Sequence, residues 1–115
     1  FFAGLDVSLD ETHICIVDDI GRIIRETRAP SGPKALSRAI RNHGQRIAHV
    51  GLEAGTLSQW LREGLVREGS SVSVMKARHA RAAFAAMRVK TDRHEARGIA
   101  RLVRLGWVKR GHPLP

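Results

Sequence analysis

The first thirty residues contain three short segments whose apolar and polar positions predict β-strands. Residues 3–7 (AGLDV) are mostly apolar, residues 12–18 (THICIVD) alternate, and residues 22–28 (RIIRETR) follow a turn at Asp19-Ile20-Gly21. Because the connections between these segments are short, we expect three antiparallel strands in a meander.

The following residues predict helices that alternate with strands. Apolar residues at helical spacing predict helices over 33–43 and 57–68, the second with Trp60, Leu61 and Leu65 on its apolar side. Strands are predicted over 46–53 and 71–75, and further helices over the Ala-rich residues 77–89 and from Thr91 to about Leu105. A meander followed by crossover units is typical of an α/β fold, here a mixed five-stranded sheet with helices on its faces.

Length and composition indicate one globular domain with a modest core. The chain has 115 residues, of which 43% are hydrophobic. We assign residues 1–110 to one folded domain and residues 111–115 to a tail or linker towards a missing C-terminal domain. No apolar run reaches the roughly 18 residues of a membrane helix, so no membrane partner is expected. Cys15 is the only cysteine, which fits a reducing cytoplasm.

The net charge of +9 is concentrated towards the C-terminus. Residues 1–75 contain nine Lys/Arg and nine Asp/Glu, whereas residues 76–110 contain eleven Lys/Arg and two acids. Such a segment is typical of proteins that bind phosphate backbones, although a solvated helical surface or an acidic protein partner would also account for it. The candidate nucleic-acid-binding residues are Lys76, Arg78, Arg81, Arg88, Lys90, Arg93, Arg97, Arg101 and Arg104.

Two acids lie near the carboxyl ends of predicted strands, Asp6 in the first and Glu53 in the fourth. A strand reached through one crossover helix usually runs parallel to its partner, so pairing of these two strands would place the carboxylates side by side. Open α/β sheets have their ligand sites at that end of the strands. A solvent-facing acid at a strand end is the alternative for each residue.

Asp92 and Glu95 are three residues apart and share one face of the last predicted helix. They extend the apolar stripe from Ala96 to Val103 that is expected to pack on the sheet, although Asp92 followed by Glu95 is also the pattern of a capping box. A separate stripe, which we call the arginine stripe and expect to face outward, contains Arg93, Arg97, Arg101 and Arg104.

Carboxylates gathered in one place repel one another unless cations or protons neutralise them. Hard oxygen ligands suit Mg²⁺ or Mn²⁺, and two such ions can activate an attacking oxygen and stabilise a leaving one. The six histidines are scattered and show no convincing zinc spacing. The predicted catalytic and metal-binding residues are therefore Asp6, Glu53, Asp92 and Glu95.

Several segments together resemble a known protein family. They are residues 4–8 (GLDVS), 51–56 (GLEAGT), the helix–Gly–strand stretch 57–74, and 90–100 (KTDRHEARGIA). They look like the DEDD transposases of the insertion-sequence one-ten and Piv-invertase group. The resemblance implies a RuvC-like N-terminal domain with a ribonuclease-H-like fold, and DNA strand cleavage and exchange for an insertion element, guided in several members by a structured RNA.

The resemblance also implies roles for individual residues. Asp6, Glu53 and Asp92 match the first three acids of the family, and Glu95 stands where the family usually has Asp. The family has a separate C-terminal domain with a catalytic serine, so we expect this domain alone to be inactive. We expect DNA as the partner, with a guide RNA in addition where one is used, and a homo-oligomer in the full-length protein.

Three other functions remain open. A RuvC-like nuclease or resolvase is the nearest. An ATP-dependent sugar kinase also begins with a Gly-Leu-Asp-Val-like strand and a hairpin, but its phosphate-binding turn needs a glycine that Ser8-Leu9-Asp10 does not offer. A non-catalytic DNA- or RNA-binding module is the third, and it predicts that loss of Asp6 leaves affinity intact.

Overall fold

The computed structural model describes residues 1–42, 44, 46–76 and 95–106. The elements in chain order are β1 (Phe2–Val7), β2 (Glu11–Val17), β3 (Ile23–Pro30), α1 (Pro33–Arg41), β4 (His49–Glu53), α2 (Ser58–Arg67), β5 (Val72–Met75) and α3 (Glu95–Arg104). Every predicted strand is confirmed to within a few residues. The helix predicted over 77–89 and the predicted start of the last helix at Thr91 lie outside the described residues.

The five strands form one mixed sheet in the order β3-β2-β1-β4-β5. β1, β2 and β3 pair antiparallel because short turns connect them, whereas β4 pairs parallel with β1 and with β5 because α1 and α2 are crossover helices. The predicted mixed sheet and the pairing of the first strand with the fourth are therefore confirmed.

One face of the sheet, which we call the α1/α2 face, packs against α1 and α2 and forms the larger hydrophobic core. Leu5 and Leu52 project from the central strands onto this face and are fully buried. Leu36 of α1 and Leu61 and Leu65 of α2 cover them and are also fully buried. Alternation along the strands explains this pattern, because every second side chain projects to the same side.

The contact between α1 and α2 depends on a glycine. A Cβ on Gly64 would overlap the ring of Pro33, so the two helices approach closely at this point. The prediction that Trp60 lies on the apolar side of α2 is wrong, because the residue is 50% exposed. Trp60 precedes the buried Leu61 by about 100° around the helix, and its ring edge reaches Gly32 at the start of α1.

The opposite face of the sheet, which we call the α3 face, is covered by α3. The predicted apolar stripe is confirmed, since Ala96, Ile99, Ala100 and Val103 are all buried. Cys15 is buried in the cluster that α3 forms with β2. Within the described ranges, no helix is long and apolar enough to cross a membrane.

Candidate active site

Asp6 and Glu53 end β1 and β4 side by side. The two strands are parallel and pair from Phe2 with His49 to Leu5 with Leu52, so that Gly4 lies opposite Gly51. Extending this offset by one residue places Asp6 beside Glu53. Because side chains alternate along a strand, both acids project to the α3 face, as both glycines do. Each acid is half-buried.

The glycines beside the two acids make room for α3. A Cβ on Gly4 would overlap the backbone of Ala96 and Ala100, and one on Gly51 would overlap another side chain of the same helix. α3 therefore lies closer to the sheet than any side chain at Gly4 would permit. This close packing places the first turn of α3, which contains Glu95, at the carboxyl ends of β1 and β4.

A cleft of about 270 Å³ lies where these elements meet. Asp6, Glu53 and Glu95 all line it, so the structure brings together the three predicted acids that it describes. The remaining lining residues are Val7, Ser8, Leu9, Ala54, Gly55, Thr56, Leu57 and Ser58. Among the described residues, no group of three or more Asp, Glu, His or Cys side chains is arranged so that it could hold a metal ion. We call this cleft the acidic cleft.

The turn between β1 and β2 forms one wall of the acidic cleft and is held by hydrogen bonds. The Ser31 hydroxyl donates to the Ser8 carbonyl at 2.5 Å, and the Ser31 backbone N–H donates to the Asp10 carbonyl at 3.0 Å. Because the Ser31 hydroxyl has one proton, the buried Thr12 hydroxyl donates in the 2.7 Å bond between them. This turn holds Leu9, which is 75% exposed, at the rim of the cleft.

The turn between β2 and β3 is organised by Asp18. Its Oδ1 accepts hydrogen bonds from the backbone N–H groups of Ile20 at 3.0 Å and Arg22 at 2.8 Å, and its Oδ2 accepts one from Arg22 Nε at 2.9 Å. Burial acts to raise the pKa of the Asp18 carboxyl. The hydrogen bonds from Arg22 and Ile20 and the charge of Arg22 outweigh burial, and the pKa is lowered from the usual 3.8.

The three described arginines of the arginine stripe contact the hairpin of β2 and β3. Arg97 binds Glu26 through two hydrogen bonds of 2.9 and 2.6 Å. Arg101 and Arg104 donate to backbone carbonyls of the β2–β3 turn at 3.4 and 3.2 Å. The expectation that these three side chains simply face outward is therefore wrong, because each is half-buried and holds α3 against the hairpin. Their contact with phosphates stays a prediction.

Of the other predicted site residues, the structure describes only Lys76. Lys76 is exposed immediately after β5. The fourth predicted acid and most of the remaining basic residues lie outside the described residues: Asp92, Arg78, Arg81, Arg88, Lys90 and Arg93. Their predicted roles in metal and nucleic-acid binding stay predictions.

A histidine that the sequence analysis did not single out lies beside Asp6. β1 and β2 pair so that Asp6 faces His13, and directly opposed residues project to the same side of a sheet. His13 is half-buried on the α3 face. The hairpin register is the signal that could have identified it: a turn at residues 8–10 pairs Val7 with Thr12 and therefore Asp6 with His13.

A larger groove of about 990 Å³ runs along the edge of β5, and its described lining contains none of the predicted acids. His49 lies in this groove between two hydroxyls, with Nδ1 2.7 Å from Ser71 Oγ and Nε2 2.6 Å from Ser73 Oγ. Volume alone would favour this groove, but the three carboxylates all line the smaller acidic cleft. The chemistry of the lining residues therefore identifies the acidic cleft as the candidate active site.

Comparisons with known proteins are consistent with this fold. Thermus thermophilus RuvC in complex with a Holliday junction substrate superposes with a TM-score of 0.60 at 13% identity, covering 91% of this chain and 95% of that chain. Another structure of Thermus thermophilus RuvC has a TM-score of 0.58 at 15% identity, covering 91% and 96%. At such low identities these similarities show a RuvC-like fold and no more. No curated protein sequence matches the chain.

The family comparison covers almost the whole chain. Residues 3–114 match the family DEDD_Tnp_IS110, described as Transposase. This match includes the strand ends of Asp6 and Glu53 and the helix of Glu95. The predicted family resemblance is thereby confirmed, and the chain belongs to the DEDD transposases of the IS110 family, of which it forms the RuvC-like catalytic domain.

Proposed function

We propose that this domain catalyses metal-dependent cleavage and exchange of DNA strands for an insertion element. The observation that carries the proposal is the acidic cleft, which Asp6, Glu53 and Glu95 line together. These acids come from three elements that are distant in sequence, and gathering like charges costs stability unless cations neutralise them. The transposase family and the RuvC-like fold support DNA strand cleavage as the reaction.

The donor chemistry of the acidic cleft fits Mg²⁺ or Mn²⁺. Mg²⁺ usually binds one or two protein carboxylates and completes its coordination with water and substrate phosphates. Asp6, Glu53, Asp92 and Glu95 are the residues that would hold the ions. When bound, the two ions supply an activated attacking oxygen and stabilise the leaving oxygen.

The protein's own residues orient the DNA strand and keep the cleft ordered. Ser31 holds the β1–β2 turn through the Ser8 carbonyl, so one wall is fixed before substrate binds. The β4–α2 loop forms the other wall, where the Ser58 hydroxyl donates to the Gly55 carbonyl at 2.8 Å. Two ordered walls place a phosphate against the carboxylates at little entropic cost, which is the benefit of preorganisation.

Further parts of the proposal depend on the family resemblance alone. A structured guide RNA and a homo-oligomer of the full-length protein are partners implied by that group. A C-terminal domain with a catalytic serine would follow residues 1–110, and residues 111–115 would begin the linker to it. On this basis the domain by itself is inactive.

Removal of single carboxylates in the complete protein tests the proposal. Asp6→Asn and Glu53→Gln are expected to abolish Mg²⁺-dependent DNA strand cleavage, measured with a labelled DNA substrate. The melting temperature is expected to stay unchanged or to rise slightly, because one member of a repelling cluster is removed. Asp10→Asn is the matched control, since Asp10 is an exposed acid of the adjoining turn whose side chain is not part of the cleft lining.

The outcomes separate the proposed function from its alternatives. Normal cleavage by Asp6→Asn together with a lower melting temperature would show that this acid is structural. A wild-type protein that binds DNA but cuts no strand with Mg²⁺ or Mn²⁺ would favour the non-catalytic binding module. Cleavage of branched DNA without strand exchange would favour a nuclease or resolvase.

A further inference from the structure

The strand register extends the pair of acids into a row that ends in basic side chains. His13 of β2 faces Asp6 of β1, and Arg28 of β3 faces His13. Directly opposed residues project to the same side of a sheet, so the row that begins with Glu53 and Asp6 continues along the α3 face. Across four adjacent strands, two carboxylates are followed by an imidazole and a guanidinium.

A second cleft, of about 310 Å³, lies at the basic end of this row. Its lining residues are His13, Ile14, Glu26, Thr27, Arg28 and Ala96. Ala96 directly follows Glu95, which lines the acidic cleft, so the described start of α3 stands between the two clefts. Neighbouring strands are about 4.8 Å apart, which puts Arg28 roughly 10 Å from Asp6 across the sheet.

At the second cleft, the guanidinium of Arg28 is accessible to an anion. The carboxylate of Glu26 is bound on both oxygens by Arg97, so its charge is compensated within the fold. Arg28 Nη1 lies 3.6 Å from Glu11 Oε1, and the two side chains are 60% and 54% exposed. An exposed pair at this distance is weak, whereas a phosphate can accept two hydrogen bonds from one guanidinium.

We infer that His13 and Arg28 form a phosphate-binding subsite for the DNA strand that enters the acidic cleft. The subsite takes a neighbouring phosphate of the strand whose scissile phosphate lies at Asp6 and Glu53. The inference rests on the proposed function, because the proposed role of the acidic cleft identifies the anion as DNA phosphate. Two phosphates held at a fixed separation set the register of the strand on the catalytic acids.

Salt-dependent DNA binding tests the subsite in the complete protein carrying Asp6→Asn, so that the DNA is not cut. Arg28→Ala is expected to weaken binding of a short duplex roughly tenfold. The slope of log K against log salt is expected to fall by about one, because one phosphate contact and its released counterion are lost. His13→Ala is also expected to weaken binding.

Two further variants sharpen the test. Arg25→Ala is the matched control, because Arg25 is exposed on the same strand but faces Ile16 and therefore projects to the α1/α2 face. It is expected to leave the salt slope unchanged. Glu11→Gln is expected to tighten binding, because it removes the carboxylate that competes for Arg28. Equal losses in Arg28→Ala and Arg25→Ala would overturn the subsite.

If the proposed function is wrong, the experiments give a different outcome from the one expected if only the subsite is wrong. DNA cleavage at the wild-type rate by the Asp6→Asn protein would overturn the catalytic assignment itself. An inactive Asp6→Asn protein, combined with a salt slope for Arg28→Ala equal to that for Arg25→Ala, would overturn the subsite alone.

Discussion

The two faces of the sheet use the same strands for different purposes. On the α1/α2 face, β1 and β4 present Leu5 and Leu52, which are fully buried under leucines of two helices. On the α3 face, the neighbouring residues of the same strands are Gly4, Asp6 and Glu53, and α3 packs there with its backbone close to the sheet. Among the described residues, most of the large, fully buried side chains lie on the α1/α2 face.

The difference indicates that stability and site geometry can be altered separately. The α1/α2 face contributes apolar burial, which stabilises the fold in proportion to the area removed from water. The α3 face positions carboxylates through close approach at Gly4 and through polar contacts of α3. Substitutions one residue apart on β1 should therefore have different consequences.

The largest effect on stability is expected from Leu5→Ala. Loss of a fully buried leucine is expected to lower the free energy of unfolding by about 2–5 kcal/mol, because a cavity remains beside the helices. Denaturant unfolding of Leu5→Ala and Asp6→Asn measures the contrast between adjacent residues. If Asp6→Asn destabilised the domain as much as Leu5→Ala, the division between the two faces would be wrong.

The next largest effect is expected from Gly4→Ala. The added Cβ overlaps the α3 backbone, so the helix must move, at a cost of roughly 1–3 kcal/mol. Cleavage should fall further than the loss of folded protein explains, because Glu95 moves with α3. Gly32→Ala is the control, since Gly32 lies outside the acidic cleft, its backbone is extended, and a Cβ there meets only the Trp60 ring at 3.9 Å. Cleavage that declined only in step with stability would contradict the positioning role of Gly4.

Removing the ion pair between Glu26 and Arg97 is expected to change stability less. Their side chains are 34% and 31% exposed, so solvent screens the pair and its coupling is expected to be about 1 kcal/mol or less. A double-mutant cycle with Glu26→Gln and Arg97→Gln measures that coupling. The coupling should decrease with added salt. A coupling that did not change with salt would indicate packing rather than charge.

The smallest effect on stability is expected from Asp18→Asn, and this effect depends on pH. Its pKa is lower in the folded protein than the ordinary 3.8, so the carboxylate stabilises the fold above that pH. This contribution is lost as the pH falls through the folded pKa. Melting temperatures of wild type and Asp18→Asn should therefore differ at neutral pH and converge in acid. Asp19→Asn, at the exposed neighbouring residue, is the matched control.

Much of the fold could be predicted from local patterns. The alternation around Ile14 and Ile16 predicted β2, and the stripe from Ala96 to Val103 predicted the buried side of α3, because both periodicities depend on neighbouring residues alone. The same reasoning was wrong for Trp60. Its position next to Leu61 in the sequence does not decide whether a bulky indole finds space between α2 and α1.

The candidate site could be predicted in part. Asp6 and Glu53 were located because a crossover connection makes a parallel neighbour the usual outcome. The polar partners of the arginine stripe were not predicted, since Arg97 and Glu26 are far apart in sequence and either could have faced water. His13 was overlooked because its importance depends on which residue of β1 it faces.

The sequence by itself determined the identity of the elements, their order, the strand ends at which acids occur and the family to which the chain belongs. Only the tertiary structure decided that α3 packs against Gly4, that the arginines of α3 bind the β2–β3 hairpin, and that His13 and Arg28 continue the row of acids. The physical reason is the distance along the sequence over which the deciding interactions act. Periodicity reflects interactions within a few residues, whereas strand register and helix seating depend on contacts between segments that meet only when the whole core has formed.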